Sequence, residues 1–251
     1  MAPERRYVRA LAEYDGTHYF GFQVQKGRPT VQGTLEAVLA RITGEAVHVR
    51  YAGRTDTGVH ALGQVIAFHT GWRHPLADLE RALNALLPAD IAVRQLEAVE
   101  DLRFHPRYSA RSRLYRYTVW TASWRSPLVC RYAHHEPRPL NEAAMAEAAQ
   151  LLLGEHDFAS FGQPTQGEST VRVVYRAQWY RPEPASHLLY FDIEANAFLR
   201  RMVRTVVGTL LEVGKGYRSV ADVAALLAAP QRGQAAPPAP ASGLCLVAVR
   251  Y

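Results

Sequence analysis

Tyr51-Ala52-Gly53-Arg54-Thr55-Asp56-Thr57-Gly58-Val59-His60-Ala61 lies between two segments of strand-like composition, Ala46 to Tyr51 and Leu62 to Thr70. It therefore reads as a loop joining two strands. Gly53 and Gly58 let the backbone bend sharply and approach a ligand closely, and a carboxylate follows an arginine by two residues. Taken alone, Asp56 suits either a cap on its own turn or a reactive group, and the rest of the chain decides between them.

Upstream, Tyr7 to Tyr14 alternates and ends at the turn signal Asp15-Gly16, so it reads as a strand, and the aromatic loop Tyr19-Phe20-Gly21-Phe22-Gln23 follows. From Thr30 the apolar positions Val31, Leu35, Val38, Leu39 and Ile42 recur at helical spacing, with Gly44 as the C-cap. Downstream, Leu76, Leu79, Leu83 and Leu86 predict a second helix ended by Pro88, and Ile91 to Val99 a strand. The first half, 1–104, is thus β-α-β-β-α-β.

The second half, 105–251, repeats that order with one added helix. Leu114 to Thr121 is a strand, and Asn141 caps a helix reaching Leu153, with Gly154 behind it. Strands Val171 to Tyr180 and Leu188 to Ala195 precede a long helix carrying Leu199, Met202, Val203, Val206, Leu210 and Leu211 and breaking near Gly214. A short helix about Val220 to Ala228, a Pro/Ala loop from Pro230 to Gly243 and a strand Leu244 to Val249 close the chain. Each half has the ferredoxin-like split order, which predicts an α+β protein with mainly antiparallel sheet. Two such halves joined edge to edge would leave one long sheet face as a basic floor, suited to an elongated polyanion.

The charge distribution points the same way. The 251 residues carry a formal charge of +6, which favours anionic partners. From Leu102 to His135 there is no Asp or Glu, yet there are seven arginines: Arg103, Arg107, Arg111, Arg113, Arg116, Arg125 and Arg131. Codon bias explains Arg over Lys, but not a gap in acids. Around Tyr108 to Tyr117 the arginines interleave with aromatics, the combination that grips phosphates while stacking bases. In a strand from Leu114, Tyr115 and Tyr117 share one face, where they suit either the core or a base. Arg200, Arg204 and Gly208 fall at four-residue steps along the long helix, and no acid lies between Glu194 and Glu212 to pair with Arg200, Arg201 and Arg204.

Other chemistries fit poorly. Asp56-Thr57-Gly58 spells the aspartic-protease triplet, but that site shares a proton between two carboxylates and no second such triplet exists. His134-His135 near Cys130 and His156-Asp157 lack the spacing of a metal motif, and the glycines match neither a phosphate loop nor a dinucleotide fingerprint. No metal and no cofactor is implied. With two cysteines, no signal-like start and no membrane-length apolar run, the expectation is a cytoplasmic protein with no membrane partner.

With these residues in hand, the chain resembles the tRNA pseudouridine synthase A family over almost its entire length. The similarity is most specific at Gly53 to Ala61 and extends to Glu13-Tyr14-Asp15-Gly16-Thr17, Asn84-Ala85-Leu86-Leu87-Pro88, Arg113-Leu114-Tyr115-Arg116-Tyr117, Asn196 to Arg204 and Gly243-Leu244-Cys245-Leu246-Val247. The resemblance implies the pseudouridine synthase fold and isomerisation of uridine to pseudouridine in the anticodon stem-loop of tRNA, positions 38 to 40, after base flipping. It also implies a homodimer in which one tRNA touches both subunits, working without metal or cofactor. By that resemblance Asp56 is the catalytic carboxylate, acting as a nucleophile or by removing a sugar proton. Arg54 manages the flipped nucleotide, Tyr115 packs on the target base, and Arg204 ion-pairs near the carboxylate and keeps it charged.

Two departures stand out. The family's histidines before Met202 are here Arg200 and Arg201, and Gln163 to Ser169 matches loosely. The competing reading is a non-catalytic RNA-binding or RNA-chaperone module with the same fold. Either reading expects RNA contacts from Arg107, Arg111, Arg113, Arg200 and Arg201. Arg107→Ala or Arg111→Ala is expected to weaken tRNA binding and reduce the slope of log affinity against log salt. An unchanged slope in both would mean these side chains face away from RNA.

Overall fold

The computed structural model describes residues 5–164 and 167–251. Met1 to Glu4, and Thr165 and Gln166 within the loosely matching segment Gln163 to Ser169, lie outside them. By compactness the chain divides into Met1–Arg111 with Leu246–Tyr251, and Ser112–Cys245. A division at 104/105 follows element order and gives the closing strand to the second half. In space, the last six residues group with the first unit.

In the first unit, β1 (Arg6–Tyr14) pairs antiparallel with β3 (His60–Thr70) on one side and with β4 (Ile91–Ala98) on the other. The short β2 (Arg50–Tyr51) also pairs antiparallel with β3, at Ala67 and Ile66. The resulting order β4-β1-β3-β2 is that of the split motif. Helix α1 (Val31–Thr43) is capped by the Thr30 hydroxyl, which accepts from Gly33 N, and ends at Gly44 with φ 73°. It packs beside α2 (Leu76–Leu86). Val8, Ala10, Ala12 and Tyr14 of β1 are buried, as are Leu35 and Leu39 of α1 and Leu79 and Leu83 of α2.

The strand expected from Ala46 is shorter than its composition predicts, with only Arg50 and Tyr51 paired. Helix α1 takes the missing bonds instead. Glu36 Oε1 accepts from Val49 N at 2.9 Å and Gln32 Nε2 donates to Val49 O at 3.1 Å. The backbone N–H and carbonyl of Val49 are therefore satisfied by side chains, and ladder pairing begins one residue later.

In the second unit, β5 (Ser112–Trp120), β9 (Leu188–Ala195), β8 (Val171–Tyr180) and β7 (Gly154–Asp157) run in that spatial order with antiparallel neighbours, and β6 (His134–His135) adds a short parallel pairing to β5. Helix α3 (Glu142–Gln150), capped by Asn141, is three residues shorter than expected. The chain then turns at Gly154 into β7, a strand the apolar pattern did not mark. Helices α4 (Met202–Gly214) and α5 (Val220–Ala228) pack on α3. The last strand, β10, covers Leu244–Arg250. No helix among the described residues is long and apolar enough to cross a membrane.

The start of α4 corrects the reading of an arginine stripe. Arg201 occupies the N-cap with φ 64° and ψ 1°, so the helix begins at Met202 and Arg200 lies outside it. Arg200 instead bridges Gln163, donating its N–H to Gln163 O at 2.8 Å. Gly208 also has a role that its spacing did not show. A Cβ there would overlap the carbonyl oxygen of Pro237 in the Pro/Ala loop. That loop is tied to the helix by Ala239 N donating to Arg204 O (2.9 Å) and Ala236 N donating to Thr209 Oγ1 (3.2 Å). Gly→Ala inside a helix ordinarily gains about 1 kcal/mol of propensity. Here, Gly208→Ala is expected to lower stability by roughly 1–3 kcal/mol in denaturant unfolding, because overpacking outweighs propensity. A raised midpoint would contradict this packing.

Candidate active site and nucleic-acid interface

The loop bearing Arg54 and Asp56 is held from three directions. The side chain of Gln64, fully buried in β3, clamps Gly53 by accepting from its N–H at 3.1 Å and donating to its carbonyl at 2.5 Å. Thr55 is buried, its hydroxyl 2.8 Å from the phenol oxygen of Tyr14 and its carbonyl accepting from Phe22 N at 3.2 Å. Val59 N closes the turn onto Asp56 O at 3.1 Å, and Gly58 N donates to Tyr19 O. Two glycines make these approaches possible. A Cβ on Gly21, which has φ 85°, would sit 2.6 Å from Thr55 O, and one on Gly16 would overlap Val59 O.

With Thr55 turned inward, its neighbours face outward. Arg54 is exposed and Asp56 half-buried. Beside them in the same unit lies a cationic and aromatic surface. Arg50 stands over the Tyr7 ring at 5.9 Å, His69 stacks on Tyr7 at 4.4 Å, and Arg107 lies over Tyr108 at 5.5 Å. The Tyr51 hydroxyl pKa is raised by burial, with Arg54 and Arg107 pulling the other way, so both guanidinium groups act on one phenol. Burial and then Arg50 hold His69 and His105 below the ordinary histidine range, with Arg5 adding to the effect at His69 and Arg107 at His105. The surface is positive while these imidazoles stay neutral, the electrostatics of an anion-binding face.

In the second unit, Tyr115 is nearly buried, its ring edge-on to Phe198 at 5.1 Å. The Nε of Arg204 donates to Ala239 O at 2.6 Å, which fixes that side chain against the Pro/Ala loop. Asn196 organises the segment between β9 and α4. Its Oδ1 accepts from Val173 N and Ala197 N, and its carbonyl accepts from Arg113.

The basic tract divides on folding. Arg113 is buried and donates to Asn196 O at 2.8 Å, so it braces the chain next to Tyr115 rather than lying on the surface. Arg116 makes a two-pronged pair with the buried Asp192 at 2.8 and 3.1 Å, and Arg103 pairs with Asp101. Arg107 and Arg111 are exposed, as are Arg200 and Arg201. The contributions of Gln64, Thr55 and Phe198 were not anticipated from the sequence. The available signal for Gln64 is an amide directly before the apolar run Val65-Ile66-Ala67-Phe68. Among the described residues no three His, Cys, Asp or Glu side chains are grouped to hold a metal ion.

Gln64→Leu keeps the volume but removes both hydrogen bonds to Gly53. It is expected to cost roughly 1–3 kcal/mol in urea unfolding, the penalty of unpaired backbone groups in a part-buried place. An unchanged midpoint would show that the clamp is not needed.

A sequence model described as tRNA pseudouridine synthase matches residues 10–109 and 148–251. Among curated proteins, the tRNA pseudouridine synthase A of Geobacillus kaustophilus is 46% identical over 97% of this chain and 94% of its own length. That of Roseiflexus castenholzii is 45% identical over 98% and 91%, and that of Geobacter sulfurreducens 44% over 98% and 100%. The α+β architecture is accordingly the pseudouridine synthase fold, with its strands paired mostly antiparallel. The matches span both units and the loop from Gly53 to Ala61, and the chain belongs to the tRNA pseudouridine synthase family.

Proposed function

We propose that this protein isomerises uridine to pseudouridine in the anticodon stem-loop of tRNA, at positions 38 to 40, with Asp56 as the reacting carboxylate. The observation that carries the reading is a carboxylate on a loop pinned by Gln64, Tyr14 and two close glycine contacts, beside an arginine-rich aromatic surface. Preorganisation of this kind is what a reacting group needs, because a carboxylate on a loose loop spends binding energy on being positioned. A purely RNA-binding module has no use for a carboxylate held towards a polyanion.

The reaction is a net rearrangement. The N1–C1′ glycosidic bond breaks, the base turns, and C5 bonds to C1′. The hydrogen on C5 leaves as a proton and N1 takes one from solvent, so the composition is unchanged. The Asp56 carboxylate acts either as nucleophile or as the base that removes a sugar proton. Arg54, exposed on the same loop, manages the flipped nucleotide, Tyr115 packs on the target base, and Arg204 keeps the carboxylate ionised. Arg107 and Arg111, with Arg200 and Arg201, contact phosphates, and Arg113 acts indirectly by bracing Asn196.

The same reading has the 1–104 half carry the catalytic loop and the 105–251 half the basic segment. It places the enzyme in the cytoplasm as a homodimer with one tRNA touching both subunits. Family membership supports these points, and sedimentation of the protein with and without tRNA tests the stoichiometry.

Asp56→Asn separates catalysis from mere binding. The variant is expected to bind tRNA within about threefold of wild type while turnover falls by roughly 100- to 10,000-fold. Pseudouridine mapping of a tRNA transcript supplies the readout, and retained turnover would sink the assignment of Asp56.

A further inference from the structure

The second unit contains a cleft of about 550 Å³ at the N-terminus of α4, separate in sequence from the Asp56 loop. Arg200, Arg201 and Arg232 line it together with Thr205, Ser160 and Gln163, and no Asp or Glu does. Several other arginines of this unit meet acids: Arg116 and Arg176 at Asp192, Arg138 at Glu136, Arg181 at Glu142 and Arg218 at Glu212. Among the described residues the guanidinium groups of Arg200, Arg201 and Arg232 have no such partner. Three like charges around one cleft repel each other, and an anion is what relieves that.

The walls are set before any ligand arrives. The Ser160 hydroxyl donates to Leu226 O and accepts from Gln231 N, both at 2.9 Å, which holds the turn carrying Arg232. Arg200 N is tied to Gln163 O, and the Pro237 side is clamped to α4 through Ala239 N and Arg204 O. Helix α4 has no side-chain cap, so its positive end adds to the three arginines. All the charged side chains that line the cleft are cationic, which selects an oxyanion, and the volume exceeds one phosphate and suits a nucleotide-sized group.

We infer that this cleft binds a backbone phosphate of the RNA substrate together with part of its nucleotide, through Arg200, Arg201 and Arg232. The assignment rests on the proposed action on tRNA and adds a binding site to it. Arg232 lies 28 residues beyond Arg204 in sequence and comes to the cleft through the turn held by Ser160.

The test measures binding of a tRNA transcript to the full chain across a range of salt concentrations, for wild type and three variants, alongside melting temperature. Arg201→Gly removes a charge but places glycine at a φ of 64°, which it adopts without a Cβ penalty. It is expected to raise Tm by roughly 2–4 °C while weakening tRNA binding several-fold and reducing the salt slope by roughly 0.7–0.9. Arg232→Ala, at an exposed turn, is expected to show the same slope change and Arg232→Lys to restore it. These opposite signs in stability and affinity do not arise from a purely structural role.

Unchanged slopes in Arg201→Gly and Arg232→Ala, with a wild type that forms pseudouridine, overturn the cleft assignment alone. Reduced slopes with a wild type that forms none leave the phosphate site standing and remove the reaction. In a second arm, inorganic phosphate and uridine monophosphate are tested for thermal stabilisation. If they stabilise wild type but not Arg232→Ala, while tRNA slopes stay equal, the cleft takes a free anion and the RNA assignment falls.

Discussion

Close contact between backbone segments governs the loop that carries Asp56. Gly16 and Gly21 lie so near the carbonyls of Val59 and Thr55 that neither position has room for a side chain. These contacts bring the end of β1 and the aromatic loop against the strand connection that carries Asp56. The hydroxyls of Tyr14 and Thr55 join in the gap, and Phe22 N donates to the Thr55 carbonyl. Once Thr55 is buried, the alternation of the chain turns Arg54 outward and leaves Asp56 half-exposed. The outward placement of both charged residues is thus a consequence of packing beneath them.

The same economy shapes the charges. Acids distant in sequence neutralise part of the basic tract, as Asp192 does for Arg116. Asp192 also receives Arg176 at 3.3 Å, and the two tyrosines Tyr180 and Tyr190 flank Arg116. The arginines lining the α4 cleft in the second unit keep no acid partner among the described residues, and in the first unit others stand over aromatic rings. Steering of a polyanion depends on these residual charges and not on the net value of +6.

Much of this was legible from local signals. Thr30 and Gly44 mark both ends of α1, the first β-α-β-β-α-β order appears as read, and the second does with the short strands β6 and β7 added. Long-range bonds account for the misses. β2 is short because Gln32 and Glu36 satisfy Val49, which no periodicity in 46–51 records. Leu199 fits the apolar spacing of α4, yet the left-handed Arg201 starts the helix later. Arg113 sits in a basic run that reads as surface, but its partner is a backbone carbonyl 83 residues away. At the site, Asp56 and Arg54 stood out by residue type. Gln64, Gly16 and Gly21 did not, because their work is done against segments remote in the chain.

A single transcript experiment bears most directly on the central claim, that a pinned Asp56 loop isomerises uridine in tRNA. Unmodified tRNA with uridines at positions 38 to 40 is incubated with the purified protein alone and each uridine is mapped for pseudouridine. Conversion confined to those positions is the expected result. A transcript that binds tightly but stays unmodified, or is modified only elsewhere, would contradict it.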